Sequence, residues 1–194
     1  MTIDLIGLIG GSGWAAGVNL YAVAFLLGIL GRLGLADTPE ALTSTDVLMM
    51  AGGLYLLEFV TDKVPYLDSL WDAVHTVVRP IGAGAIGYLL AGDAGTLGQA
   101  LAAATSGGLA ASSHAAKAST RAAVNVSPEP FSNIFLSLAE DVLVVVIIAL
   151  AVALPVIAIV VVALLVGLAA FLTVKLWGAL ARLRQRRAGG PRVA

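Results

Sequence analysis

Val142–Lys175 reads VLVVVIIALAVALPVIAIVVVALLVGLAAFLTVK, and this stretch decides the fold class of the chain. It has no charged side chain before its last residue, and it is much longer than the about 20 residues that one helix needs to cross a bilayer. Pro155 divides the stretch, because proline lacks a backbone donor and disfavours helix at the residue before it. We therefore predict two membrane helices with a break at Pro155.

The composition of the whole chain agrees with this stretch. Hydrophobic residues make up 59% of the chain, charged residues only 12%, and the mean hydropathy is +0.98. Soluble domains carry about twice that share of charge. We predict an all-α, polytopic membrane helix bundle with about six membrane segments. We expect a single transmembrane domain over residues 1–181 and a basic cytoplasmic tail over residues 182–194. The absence of cysteine excludes disulfides, thiol catalysis and Cys-ligated zinc, and no cofactor is expected.

The predicted segments are Trp14–Leu33 after a turn at Gly11–Gly13, Val47–Val60, a long helix after Asp68 that Pro80 kinks, Leu97–Val124, a helix from Ser132 or Asn133, and Val156–Trp177. Three of them are too short or too polar to cross a bilayer as simple rods. Discontinuous or re-entrant helices would resolve this, since irregular backbone is tolerated in a membrane where it lines a cavity. The small residues of Leu97–Val124 place that helix in the middle of the bundle, because small side chains allow close helix packing.

The charge distribution predicts the orientation. Arg182–Arg192 contains five arginines, and basic segments stay in the cytoplasm. Met1–Gly13 has an acid and no Lys or Arg, so it lacks the basic region of a signal peptide. Six segments then place both termini in the cytoplasm, with membrane lipids as partners and no nucleic acid. Gly82, Gly84 and Gly87 would permit a homo-oligomer without indicating one.

A weak internal repeat is visible. Gly52–Leu54 and Gly107–Leu109 both read Gly-Gly-Leu, and both begin segments that become polar before a proline-containing turn. In this register Asp62 falls opposite Lys117. The two units would have the same orientation, as in a parallel repeat around a central site. The alternative is two hairpins of similar composition with chance Gly-Gly pairs.

Two polar stripes at helical spacing are the exception in this hydrophobic chain. One comprises Asp68, Asp72, His75 and Arg79, and the other comprises His114, Lys117, Arg121 and Asn125. A lipid-facing charge costs roughly 2.5–3.5 kcal/mol or more. The stripes must therefore face each other, a cavity or the aqueous interface, and we expect the functional site there.

The polar residues of the candidate site divide into two groups. Those expected to bind a substrate or line a pathway are Lys117, Arg121, His114, Asp72, His75, Arg79, Asp62 and Asn125. Those expected to pair charges or couple protons are Glu58, Lys63, Asp68, Glu129, Glu140 and Asp141. The network would either pin the helices together or form a polar pocket, and the two roles can coexist. Because an arginine fork suits phosphate and carboxylate, the solute would be anionic.

Other kinds of site have little support in the sequence. His75, Asp72 and His114 could meet a divalent ion, but neighbouring cations would compete and no His-Glu-x-x-His motif occurs, so no metal site is expected. Ser112, Ser113 and His114 are adjacent on one helix, where nucleophile and base cannot easily meet. Gly10–Gly13 lacks the lysine and the preceding strand of a phosphate-binding loop.

Several polar motifs in order carry a family resemblance. They are Gly13–Asn19 (GWAAGVN), Asp68–His75 (DSLWDAVH), Ser127–Asn133 (SPEPFSN) and Ser137–Asp141 (SLAED). The chain resembles a bacterial membrane family catalogued as domain of unknown function 4126, over nearly its whole length except the C-terminal tail. The resemblance implies an integral protein of the bacterial cytoplasmic (inner) membrane, and it brings no catalytic residues.

Three functions remain open at the level of the sequence. The first is a small transporter or channel with a charged, cytoplasm-facing central site. The second is a membrane-embedded lipid-handling protein or enzyme, in which the basic stripe grips a lipid phosphate and His75 or His114 acts as acid or base. The third is a structural or assembly protein whose charges lock helices together. The residues favour a non-enzymatic role without deciding the question.

Overall fold

The computed structural model describes residues 1–124 and 130–188, and these residues form eight helices and no strand. The helices are α1 Ile3–Val18, α2 Leu20–Arg32, α3 Glu40–Thr43, α4 Thr45–Thr61, α5 Pro65–Leu90, α6 Gly95–Val124, α7 Pro130–Ala153 and α8 Pro155–Ala188. The all-α prediction is confirmed.

The break at Pro155 is found where the sequence predicts it. α7 ends at Ala153 and α8 begins at Pro155. α8 then continues to Ala188, so the first arginines of the predicted tail extend this helix. Two helices, Tyr66–Leu90 and Phe131–Ala153, are long and apolar enough to cross a membrane. They are compatible with a membrane protein, and the number of about six membrane segments is not confirmed.

The first predicted segment, Trp14–Leu33, is wrong as a single helix. α1 begins at Ile3 with Thr2 as its N-cap and runs straight through Gly11–Gly13, where a turn was predicted. It ends at Val18, and Asn19 has extended backbone (φ −150°, ψ 100°) between α1 and α2. The Asn19 side chain caps α2, because its Oδ1 accepts a hydrogen bond of 2.9 Å from the Ala22 amide.

α2 leads the chain back towards the end of the bundle from which α1 starts. Leu35–Pro39, which follow α2, line the same cavity as Met1, Thr2 and Asp4 at the start of α1. The two helices therefore form a hairpin with its apex at Asn19. We call this pair the α1–α2 hairpin.

The cavity lies at one end of the molecule, because the ends of further helices line it as well. Ala91–Ala94 between α5 and α6 and Ala151–Val152 near the end of α7 line the cavity too. Asp4, Asp37 and Asp93 make this the acidic end. α8 begins near it, since Pro155 contacts Gly7. At ~1.5 Å per residue, α8 extends about 50 Å from there, so its last turn and the start of α1 lie at opposite ends.

α1, rather than α6, is the central helix. α1 contacts α5, α6, α7 and α8, and every residue from Gly11 to Val18 is buried. α6 lies beside it and exposes Leu97 and Leu101. The small residues of α6 serve to admit α1: a Cβ added to Gly17 would overlap the Ala110 carbonyl and Ser113 Oγ. The predicted position of α6 in the middle of the bundle is corrected accordingly.

The two units of the predicted repeat form hairpins of the same orientation. α4–α5 and α6–α7 each start at the acidic end and return to it, since Leu89, Ala94 and Ala151 all line the cavity there. Asp62 and Lys117, opposite in the predicted register, form an ion pair of 2.8 Å. The repeat itself stays a prediction.

Candidate functional site

Ionised side chains from four helices meet beside the apex of the α1–α2 hairpin. We call this cluster the charged core. Its acids are Glu58, Asp62, Asp68, Asp72 and Glu140, its cations are Arg79, Lys117 and Arg121, and His114 and Asn133 complete it. All but Glu140 are buried, and Glu140 is half-buried. Asp68, Asp72 and Arg79 of one predicted stripe thus face His114, Lys117 and Arg121 of the other inside the bundle.

Arg79 on α5 is fully buried and holds three elements together. Its Nη2 donates to Glu58 Oε1 on α4 at 2.8 Å, and its Nη1 donates to Asp72 Oδ1 at 3.0 Å. Nη1 also lies 2.5 Å from His114 Nδ1 on α6. A buried charge needs this kind of pairing, because an uncompensated charge costs several kcal/mol.

The contact with Arg79 fixes the tautomer of His114. Arginine is only a donor, so His114 Nδ1 accepts and Nε2 carries the proton. Nε2 lies 3.1 Å from Thr76 Oγ1, whose hydroxyl donates to the Asp72 carbonyl. His114 is therefore neutral, and its ring bridges Arg79 and Thr76.

Lys117 on α6 is surrounded by carboxylates. Its Nζ donates to Asp62 Oδ2 at 2.8 Å and lies 3.7 Å from Glu58 Oε1 and 3.6 Å from Glu140 Oε2. Nζ also donates to the Val18 carbonyl at 3.1 Å. Two hydrogen bonds and two further carboxylates within 4 Å thus hold this ammonium within the protein.

Arg121, one turn further along α6, joins α4 to α7. It makes a two-pronged contact with Glu140, through Nη2 to Oε2 at 2.5 Å and Nε to Oε1 at 3.2 Å. Nη1 donates to the Asp62 carbonyl at 2.9 Å and to Asn133 Oδ1 at 2.8 Å. Such forked pairs are stronger and more directional than single ones.

The break at Asn19 supplies backbone oxygens to the same cluster. The Gly17 carbonyl accepts a hydrogen bond from Arg79 Nη1 at 3.3 Å, and the Val18 carbonyl accepts the one from Lys117. Because the C-terminal end of a helix carries partial negative charge, the end of α1 favours these two cations. The apex of the hairpin and the charged core thus form one site.

Carboxylates outnumber cations in this site. The five acids and three cations leave a surplus of two negative charges when all are ionised. Several buried carboxylate oxygens have no hydrogen-bond partner in the part of the chain that the structure describes: Glu58 Oε2, Asp62 Oδ1 and both oxygens of Asp68. Unsatisfied buried oxygens of this kind call for an explanation such as a bound ion or proton.

His75 lies outside the ion-pair network. Its ring stacks on Trp71 at a centroid distance of 4.4 Å, and Nδ1 donates to the Trp71 carbonyl at 2.7 Å. Nε2 lies 2.9 Å from the hydroxyl of Tyr21 on α2. The structure therefore places His75 at the contact between α5 and the α1–α2 hairpin.

Lys63 is at the edge of the charged core, in the turn between α4 and α5. Its Nζ donates to the Phe59 carbonyl at 2.7 Å and to Ser137 Oγ at 3.3 Å, and lies 3.1 Å from the Phe59 ring centroid. Burial lowers the pKa of Lys63, and the negative charges of Asp141 and Asp62 oppose that shift. Asn125 and Glu129, which were predicted for the site, lie outside the described residues.

The structure adds groups that the sequence interpretation missed or gave another role. Asn133 was predicted only as one of two possible starts of a helix, yet its Oδ1 accepts a hydrogen bond from Arg121 and its Nδ2 donates to the Asp62 carbonyl at 3.2 Å. Thr76 and the carbonyls of Gly17 and Val18 were not predicted. Thr76 comes directly after His75 of the first stripe and four residues after Asp72, so its position was a usable signal. The carbonyls depend on a helix break that no sequence pattern marks.

Among the described residues, no group of three or more His, Cys, Asp or Glu side chains is arranged to hold a metal ion. In comparisons with known proteins, the family model described as Domain of unknown function (DUF4126) matches residues 6–175, which is most of the chain. No curated protein and no solved structure matches the chain.

Proposed function

The chain belongs to the DUF4126 family, and we propose that it is a small polytopic membrane transporter whose solute site is the charged core. The observation that carries this proposal is the α1–α2 hairpin, whose apex brings two backbone carbonyls onto buried cations. Discontinuous helices that meet ionisable residues in the middle of a membrane domain are a recurrent transporter plan.

The distribution of polarity across α5 supports a membrane location. Leu70, Val74, Val77 and Ile81 are each more than half exposed, while the charged residues of the same helix are buried. In water this arrangement would be inverted, because burying ions and exposing aliphatic side chains both cost free energy. In lipid it is the favourable arrangement.

The helix arrangement supports a revised orientation. The acidic end would face outwards, and the end of α8, which leads into the arginines, would face the cytoplasm by the positive-inside rule. Because the α1–α2 hairpin starts and ends at the acidic end, where the sequence predicted one crossing segment, the start of α1 would lie outside and the C-terminus inside. The charged core would open towards the cytoplasm, as the sequence predicted.

The contacts of Lys117 and Arg121 indicate the sign of the charge that a solute would carry. Lys117 and Arg121 were expected to bind an anion, but both already neutralise carboxylates of the protein. An anion would have to displace Asp62 or Glu140 and would add to the negative surplus of the site. The charge balance therefore favours a solute that carries positive charge, or a proton.

The test is a charge-displacement measurement on protein reconstituted into liposomes and adsorbed on a solid-supported membrane. Concentration jumps would apply methylguanidinium, ethylammonium, sodium, phosphate, acetate and protons in turn. We expect a protein-dependent current for at least one of them. Lys117→Met should abolish this current, and Lys175→Met, which removes an exposed lysine outside the cluster, should leave it unchanged. Folded protein that gives no current with any of these would instead favour a purely structural ion-pair network.

A further inference from the structure

A cleft between α5 and α6 reaches the charged core from the surface of the bundle. It has a volume of about 270 Å³, and Ala73, Thr76 and Ala118 form its rim. Its floor is made by Asp68, Asp72 and Arg121. Ala73 and Thr76 are exposed, whereas the three charged residues are buried. The three charged residues thus lie buried beside two exposed residues of the same cleft.

Asp68 is the residue of this floor whose hydrogen bonds are not satisfied. It is 0% exposed, and neither of its carboxylate oxygens has a hydrogen-bond partner among residues 1–124 and 130–188. The nearest cationic group is Arg121 Nη1, 3.7 Å from Oδ1, and that nitrogen already donates to Asn133 and the Asp62 carbonyl. A buried carboxylate without a donor is costly, so the site lacks a group that would donate to Asp68.

The backbone favours the charged form of Asp68. The residue lies in the first turn of α5, which begins at Pro65. The N-terminal end of a helix carries partial positive charge and stabilises a carboxylate placed there. A hydrogen-bond donor that also carries positive charge would match both the partnerless oxygens and this position in the helix.

We propose that the cleft binds a small organic cation whose ammonium or guanidinium group donates to Asp68. This deepens the proposed function, on which it rests, by naming the class of solute. Two free oxygens on one carboxylate match the paired donors of a guanidinium or the several donors of an ammonium.

Size and chemistry separate this ligand from the alternatives. The volume lies just below the usual range for ligand pockets, about 300–1,000 Å³, so it suits a molecule of a few heavy atoms. A metal ion is disfavoured because the described residues offer no group of three ligands. An anion would meet Asp68 and Asp72 on the floor, with Arg121 already engaged by Glu140.

Binding to purified protein in detergent tests the proposal directly. Isothermal titration calorimetry would use methylguanidinium chloride and ethylammonium chloride, with sodium acetate and sodium phosphate at equal ionic strength. We expect saturable binding of at least one organic cation and none of the anions. Asp68→Asn should weaken it about 10- to 100-fold, the range for loss of a charged hydrogen bond. Asp93→Asn, an exposed acid at the acidic end, is the matched control and should bind like wild type.

A second measurement needs no variant and so does not depend on the folding of Asp68→Asn. Dicyclohexylcarbodiimide adds to buried carboxyl groups, and mass spectrometry of the peptide that contains Asp68 reports the reaction. We expect the organic cation that binds to slow this labelling, and sodium at equal concentration not to slow it. Labelling that neither organic cation slows, with no saturable binding, would overturn the proposal and leave Asp68 as a proton site only. Phosphate or acetate binding would overturn it as well.

The two proposals fail in distinguishable ways. If the organic cation binds and protects Asp68 but drives no current, the ligand is correct and the transport function is not. If another solute drives a current while neither organic cation binds, transport stands and the ligand proposed here is wrong.

Discussion

Arg121 connects the end of α4 to α7 through its guanidinium, and Arg32 provides a natural comparison. Arg32 is exposed and bonds only the Thr43 carbonyl and the Thr45 hydroxyl. We expect Arg121→Ala to lower the free energy of unfolding by about 3–5 kcal/mol, because Glu140 and Asp62 lose their partner in a buried site. Arg32→Ala should cost less than about 1 kcal/mol. Chemical unfolding in detergent micelles measures both, and equal losses would contradict the special role of the charged core.

At the scale of residues, sequence reasoning succeeded where spacing decides the outcome. Offsets of four and seven place Asp68, Asp72 and Arg79 on one face, and in the proposed membrane setting the cost of charges in lipid turns that face inwards. The individual pairs could not be predicted, because they depend on how α4 and α7 approach α6. This holds for Asp62 and Lys117 too, since the register of the repeat aligned them as equivalent positions without predicting that they would pair.

Close packing at the level of elements explains why α1 is rich in glycine. Gly17 and Gly10 lie on the same helix, but a Cβ at Gly17 would overlap the Ala110 carbonyl, whereas a Cβ at Gly10 would meet nothing within 4 Å. We expect Gly17→Ala to destabilise the protein by about 1–3 kcal/mol through overpacking. Gly10→Ala should be neutral or stabilise by up to about 1 kcal/mol, because alanine is the better helix former.

Thermal unfolding of the two glycine variants in the same detergent checks this pair. A loss of stability for Gly10→Ala as large as that for Gly17→Ala would mean that glycine is needed for flexibility in α1 rather than for contact with α6. Wild-type stability for Gly17→Ala would contradict the packing of α1 against α6.

A helix boundary could be predicted from the sequence where a single residue causes it, and not where contacts from other helices cause it. Pro155 cannot donate a backbone hydrogen bond, so the end of α7 was evident from the sequence. The break at Asn19 was missed, because asparagine interrupts a helix only when something else satisfies the freed backbone groups. Here Arg79 and Lys117 do so from other helices. The Gly-Ser-Gly run at Gly11–Gly13 gave the opposite error, because a turn was predicted where the helix is continuous. Buried glycines permit close packing as readily as they permit turns.

The orientation of the whole molecule can be tested with single cysteines, because the chain has none. Asp37→Cys lies at the acidic end, and Tyr66→Cys lies at the other end of α5 with a 91% exposed side chain. In sealed vesicles of known orientation, an impermeant maleimide should label Asp37→Cys from the outside only and Tyr66→Cys from the cytoplasmic side only. Labelling of both from one side would contradict the proposed topology.

The central claim at the scale of the whole molecule is that the charged core is a solute site reached in turn from the two sides of the membrane. The most direct measurement is the reaction of His114→Cys, a buried position between Arg79 and Thr76, with the impermeant reagent 2-(trimethylammonium)ethyl methanethiosulfonate. The reagent would be applied to either side of sealed vesicles, with Asp37→Cys and Tyr66→Cys as one-sided controls. We predict reaction from both sides, with rates that shift between the sides when methylguanidinium is added. Reaction from the cytoplasmic side alone, or no reaction in folded protein, would contradict the account.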